Sequence, residues 1–401
     1  MQPIALNASD SHLEKHMSAE GLPRFSPTEI ARRHAAARAL AERHGVDALL
    51  LFGHSGSRRH YQADIHYLTE VAPYHESYCL LPVKGDPVLW ITHHNHFASA
   101  REVSSVEDVR RSTRDAATVI AAEINKRGLG SARIGLVGPM FYQEHGHLTG
   151  QLPGATWADL SAAFKRLRIK KSAEELAWQR IAAAGCDRVM AALHAAIRPG
   201  IEERELLVLS EQVAWQFGCQ PNFLYLNSTP MSASESCVPN QNLSRRKLQM
   251  GDVINTELTV SYGMYSAQLL RPFFLGEPTP QYAHLYGVLK RAHDLLADAM
   301  RPGVSLDTLR EVSLEIQRGG YTTVDGLLHG FGVDILPPAL GPAFAKPASP
   351  YVLEPDVTIV LQPNPTTDDE KVGMQLGQMG LITADGYVSM HASPSEVTVC
   401  G

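Results

Sequence analysis

One stretch constrains this chain more than any other: Gly251 to Arg271, GDVINTELTVSYGMYSAQLLR. A Gly-Asp turn opens it, an apolar run carries one acid at Glu257, a Tyr-Gly turn follows, and a second run closes on Arg271. This is the pattern of a β-hairpin. Alternation along a strand leaves every second side chain outside, so Glu257 can be a solvent-facing edge residue. If it is turned inward, an acid among apolar neighbours needs a partner or a chemical task.

Around the hairpin the chain reads as two domains behind a polar arm at 1–25. The stretch 26–168 alternates helix and strand and reads as an α/β domain. Ser26 and Pro27 start a helix reaching about His44. Strands are expected at 46–53, 77–83, 87–92 and 134–137, with helices at 115–127 and 158–166. The boundary falls near Arg168–Ser172, where Ser172 followed by Glu174 and Glu175 opens a long helix to Pro199-Gly200. The domain 169–401 continues with a helix from Glu203 to about Phe217, a strand at 222–226, a loop at 227–250 and the hairpin. Helices at 281–300 and 305–318 and strands at 358–361 and 380–383 complete it. The fold class is α+β.

Composition excludes several function classes. The 401 residues are 44% hydrophobic and 19% charged, ordinary for a globular chain, and carry a formal net charge of -6. Runs of five or six like charges are absent, so a nucleic-acid partner is not expected. No apolar stretch approaches the roughly 20 residues of a membrane span. The opening residues lack a basic flank and apolar core, so the expected location is cytoplasmic. The five cysteines include no C-x-x-C pair and are expected as thiols.

The hairpin resembles the "GD-x-V-x-x-D-x-G-x-x-Y-x-G-Y-x-x-D-x-T-R" segment of the creatinase/aminopeptidase P (M24) superfamily, whose catalytic domain has the pita-bread fold. The resemblance spans nearly the whole chain, weakly over 26–165 and well over 170–390. It implies a creatinase-like N-terminal α/β domain followed by a pita-bread domain. "K-S-x-x-E" at Lys171–Glu175 and "I-x-P-G-x-x-E-x-E-L" at Ile197–Leu206 support it. In the family's metallopeptidases the two hairpin aspartates bind metal. Here the first falls on Glu257 and the second, eleven residues on, on Gln268. His329, in LLHGFGVD, matches "G-H-G-x-G-x-D". Gln362 stands where the family has the Glu of "E-P", and Gly377 where it has its last metal-binding Glu. One carboxylate, one imidazole and two neutral amides do not balance a pair of divalent ions. No metal and no cofactor are therefore expected. This resembles the family's metal-independent members, creatinase and ectoine hydrolase.

The expected catalytic residues are Glu257, as general base or nucleophile, and His329, as general acid. Gln268 and Gln362 are expected to orient the substrate. Asn240 occupies the position where many relatives carry a histidine and, like nearby Cys237, is a candidate substrate contact; Cys237 is also a candidate thiol nucleophile, whose bland alternative is an ordinary buried cysteine. In the N-terminal domain Arg58, Arg59 and Tyr67 belong to a His/aromatic loop that could hold a substrate carboxylate. The tract His93-His94-Asn95-His96 is read as surface, because neighbours on a strand face opposite ways. The expected activity is hydrolysis of a C–N bond, amide or amidine, in a small anionic molecule. The alternatives are a lyase, a metal-dependent Xaa-Pro-type peptidase, or a non-catalytic binding module. The resemblance also implies a homodimer with the N-terminal loop near the partner's site.

Overall fold

The structure, a computed structural model, describes residues 21–55, 59–112, 115–342 and 350–400. It divides into two compact units that meet in sequence between Arg168 and Ile169. Most of the arm expected at 1–25, and Arg58, lie outside the described residues.

The first unit is built on a six-stranded sheet of order β4-β3-β2-β1-β5-β6. Its strands are β1 (Ala48–Gly53), β2 (Ser77–Pro82), β3 (Val88–Ile91), β4 (Asp108–Arg111), β5 (Arg133–Val137) and β6 (Thr156–Asp159). Strand β1 is apolar on both faces because both are covered: Leu49 and Leu51 enter one core, while Ala48, Leu50 and Phe52 enter the other. The helix Pro27–Arg43 starts as its sequence dictates, with the Ser26 hydroxyl accepting from the Glu29 amide and Pro27 in the first turn.

Two expectations fail in this unit. The stretch read as a His/aromatic loop is a 3-10 turn, Arg59–Gln62, running into the helix Ala63–Thr69. Tyr67 is only 1% exposed, meets Phe164 edge-on and lies under the Arg33 guanidinium. Its ring is therefore core and cannot hold a substrate. The histidine tract is not a strand either, since β3 ends at Ile91 and His94–His96 form a 3-10 turn.

In the second unit the helix Ala173–Ala196 opens with a reciprocal capping box between Ser172 and Glu175. The helix Glu203–Gln216 follows. The sheet has order β12-β11-β13-β15-β9-β8-β7. Its strands are β7 (Gln220–Pro230), β8 (Asp252–Tyr262), β9 (Tyr265–Leu275), then, after the short β10 (Thr322–Thr323), β11 (Leu328–Phe331), β12 (Ile335–Leu340) and β13 (Val357–Leu361). The short β14 (Pro365–Thr366) pairs with β10, and β15 (Gly377–Ile382) closes the order. Strands β16 (Tyr387–Ser389) and β17 (Thr398–Cys400) attach to β15 and β9. The helix Pro280–Ala299 packs its Tyr282, Leu285 and Leu289 against Val253 and Phe274 of the hairpin. The segment expected as one helix at 305–318 is two, Leu306–Ser313 and Glu315–Arg318.

The hairpin is β8 and β9, in register from Val253↔Phe274 to Tyr262↔Tyr265. Gly263 (φ 53°) and Met264 (φ 76°) form its two-residue turn, both in the left-handed region that a type I′ turn requires. A Cβ on Gly263 would stand 2.4 Å from the Trp178 ring, so the helix beneath also demands glycine there.

Candidate functional site

Register assigns the family-matched positions to one face of the second sheet. Cross-strand partners point the same way, and alternate residues along a strand do too. Glu257 pairs with Leu270, and Leu270 pairs with Gly377. One step beyond the Leu361↔Gln378 pair, Gln362 lies opposite Gly377. Two residues back, Val360 pairs with His329. Glu257, Gln268, Gly377, Gln362 and His329 therefore share a face, spread over the strands β8, β9, β15, β13 and β11.

The closest pair is diagonal across the hairpin. Gln268 Nε2 donates to Glu257 Oε1 at 2.7 Å, which leaves the Gln268 carbonyl oxygen without a protein partner. Gln362 Nε2 donates to the Gly326 carbonyl at 3.2 Å, and its Oε1 is likewise unpartnered. Along β8, Asn255 and Thr259 flank Glu257 on the same face. Asn255 Nδ2 donates to the Gly373 carbonyl at 3.1 Å, while Asn255 Oδ1 and Thr259 Oγ1 have no protein partner. These four side chains are at most 5% exposed. Buried polar atoms are nearly always paired, so a cluster of unpaired ones on one face marks a place built for something polar. The amide orientations of Gln362 and Asn255 are set by backbone carbonyls, which can only accept, and that of Gln268 by Glu257 in its ionised form, so the amide oxygens that remain are acceptors.

Burial, and to a lesser degree the nearby Asp325 charge, push the Glu257 carboxyl up from 4.5 to about 7 against the Gln268 hydrogen bond, which lowers it. Asp325 sits on an exposed turn held by Asn364, whose Oδ1 accepts from the Asp325 amide at 3.1 Å. Asn364 Nδ2 ties the same turn to Gln362 through the Gly326 and Gln362 carbonyls. Sequence reading missed Asp325, Asn255 and Thr259. Asp325-Gly326 carries only an ordinary turn signal, and Asn255 and Thr259 gain meaning only from the register. His329 presents Nδ1 to the Gly330 carbonyl at 3.1 Å, an acceptor, so that nitrogen carries the proton.

The remaining candidates fall elsewhere. Asn240 bridges to Leu226, which pairs with Thr256. That register puts Asn240 on the opposite face from Glu257, so it does not join the cluster. Cys237 is 5% exposed, its backbone lies where a Gly373 Cβ would come to 2.7 Å, and burial raises its thiol above the ordinary range. A buried thiol held protonated is a packing residue, so the nucleophile reading is withdrawn. Arg59 opens the 3-10 turn of the first unit.

The metal set implied by the family does not fit. Of its five positions only Glu257 offers a carboxylate, and a divalent pair needs several anionic oxygens. The fifth position cannot even carry a side chain: a Cβ on Gly377 would lie 2.4 Å from the Leu361 carbonyl oxygen and 2.9 Å from Gln362 Cα. Behind this row Arg271 fixes the backbone. Its guanidinium donates to the carbonyls of Leu270 and Gly377 (both 2.8 Å), Ser393 (3.0 Å) and Pro394 (2.7 Å), and to Gln378 Oε1 (2.7 Å).

Residues 177–384 match the family model described as Metallopeptidase family M24, and residues 33–170 match the Creatinase/Prolidase N-terminal domain. A protein named "Probable dipeptidase PepE" from Mycobacterium tuberculosis is 27% identical over 241 residues, which cover 59% of this chain. The match spans 62% of that dipeptidase's length. Among solved structures, dipeptidase PepE from Mycobacterium ulcerans has a TM-score of 0.77 at 23% identity, covering 94% of this chain and 100% of its own. A prolidase from Thermococcus sibiricus has a TM-score of 0.80 at 17% identity, covering 94% and 100%. At these identities the structural likeness speaks for the fold.

Proposed function

The chain belongs to Metallopeptidase family M24, and from that premise we propose that it is a metal-independent hydrolase of a C–N bond, amide or amidine, in a small carboxylate-bearing molecule. The observation that carries this reading is the polar face around Glu257: one acid poised near pH 7 among four buried, unpartnered oxygens. Those acceptors call for N–H donors, which amides and amidines supply. The dipeptidase names of the similar proteins agree with a small amide substrate that also carries a carboxylate.

A carboxyl near pH 7 is matched to proton transfer at neutral pH. Ionised Glu257, steadied by Gln268, takes a proton from water as the water oxygen attacks the amide or amidine carbon. The C–N bond then breaks as His329, protonated on both ring nitrogens, gives its Nε2 proton to the leaving nitrogen, and the proton taken up by Glu257 restores it at the end of the cycle. Gln362, Asn255 and Thr259 receive substrate N–H groups. Water supplies both the new C–O bond and the proton balance.

The test is turnover of a panel of small carboxylate-bearing amides and amidines by exhaustively chelated protein, run in heavy-oxygen water. The expected result is undiminished turnover, label in the product, and a loss of at least about 100-fold in kcat for Glu257→Gln. Turnover that vanishes on chelation and returns with Mn2+ or Co2+ overturns the metal-independent reading. Unlabelled product points instead to elimination.

A further inference from the structure

We propose that His75, His93 and His96 form a binding site for a borderline divalent cation of the Zn2+ type, with three imidazole ligands and a fourth position open to solvent. The site lies in the first unit and uses none of the residues placed on the polar face around Glu257.

Two independent pieces of local geometry bring the three rings together. The β2–β3 ladder ends at Ser77↔Ile91, and two residues outward along each strand His75 comes opposite His93. Their rings stack at 4.4 Å with an interplanar angle of 19°. The 3-10 turn then sets the third ligand. Its three-residue period places i and i+3 one above the other, and the His96 amide donates to the His93 carbonyl at 3.1 Å. The ligand nitrogens of the three histidines all lie within 4.8 Å of one another.

The chemistry suits a cation. Zinc at about 2.0–2.1 Å from each nitrogen in a tetrahedron needs nitrogens about 3.4 Å apart, so modest rotations of surface rings close the site. His93 Nδ1 hydrogen-bonds Asn95 Oδ1, an acceptor, so that nitrogen carries the proton and Nε2 is left as the ligand atom. A partner that fixes the tautomer is the usual support of a metal-binding histidine. His75 is exposed, and His93 and His96 are half-buried, so an ion can enter. Among metals, all-nitrogen donors select Zn2+ and its neighbours over Mg2+ or Ca2+.

The experiment titrates the full chain, freed of any affinity tag and of metal, with ZnCl2 by calorimetry and follows Co2+ binding by its visible absorption. One Zn2+ per chain and four-coordinate Co2+ bands are expected, both retained by Glu257→Gln. Asn95→Ala is expected to weaken Zn2+ binding roughly 10–100-fold, as loss of a supporting partner does, and His75→Ala/His93→Ala to weaken it further. Circular dichroism verifies that the variants are folded. Because binding rather than turnover is read, this result is separable from the chelation test of the hydrolase. Zinc uptake equal in the wild type and the folded double variant, or no uptake by the wild type, overturns the proposal.

Discussion

Replacing Glu257 by glutamine should stabilise the protein above neutral pH, with no substrate needed to see it. An acid whose folded-state value lies near 7 and whose ordinary value is 4.5 binds its proton more tightly in the folded chain. Its contribution is therefore fully present below about pH 4.5 and is lost as the pH rises through about 7. At 1.36 kcal/mol per pH unit, that interval amounts to about 3 kcal/mol by pH 8. Glutamine keeps the shape and can still accept the Gln268 hydrogen bond, but carries no charge to bury. Denaturant unfolding of both proteins at intervals from pH 4 to 8.5 gives the difference curve, in which every other titrating group cancels. The expected difference is near zero at pH 4 and favours Glu257→Gln increasingly up to about pH 7.5, then levels off. A flat difference, or a wild type more stable at pH 8, would refute the claim that Glu257 is held in its acid form by burial and by Asp325.

Two further substitutions probe the rest of the site. Gly377→Glu restores the family's carboxylate in sequence but drives a Cβ to 2.4 Å from the Leu361 carbonyl. It should cost about 1–3 kcal/mol of stability and gain no metal, as read by thermal unfolding and elemental analysis. Cys237→Ser should leave kcat within about twofold, and native protein should react with a thiol reagent only as fast as it opens, because the described cysteines are all buried.

The hairpin, the long helix behind Ser172 and the strands of the first unit were legible because each rests on local signals: caps, turn glycines and alternation. Glu257, Gln268, His329 and Gln362 could be aligned to a motif, but only register shows that they share a face. Asp325 was illegible, since its effect on Glu257 is a charge acting through space from a turn. Tyr67 and Cys237 misled for the opposite reason. A reactive-looking residue type carries no mark of its burial, and both proved to be packing. The tract at His93 lies at the surface as read, but on a different element: a strand separates neighbours, whereas the 3-10 turn aligns residues three apart.

Arg271 joins residues that are made far apart in time. Its acceptors include the carbonyls of Ser393 and Pro394, more than 120 residues further along the chain, and Gly377, which is also distant. During synthesis the hairpin leaves the ribosome long before these carbonyls exist, and until they arrive a guanidinium destined for burial must keep its water. The site face can thus reach its final form only as a late event, after loop closure over a long span. A ribosome stalled a few residues short of Ser393 should hold a chain with its first unit folded and its hairpin still hydrated.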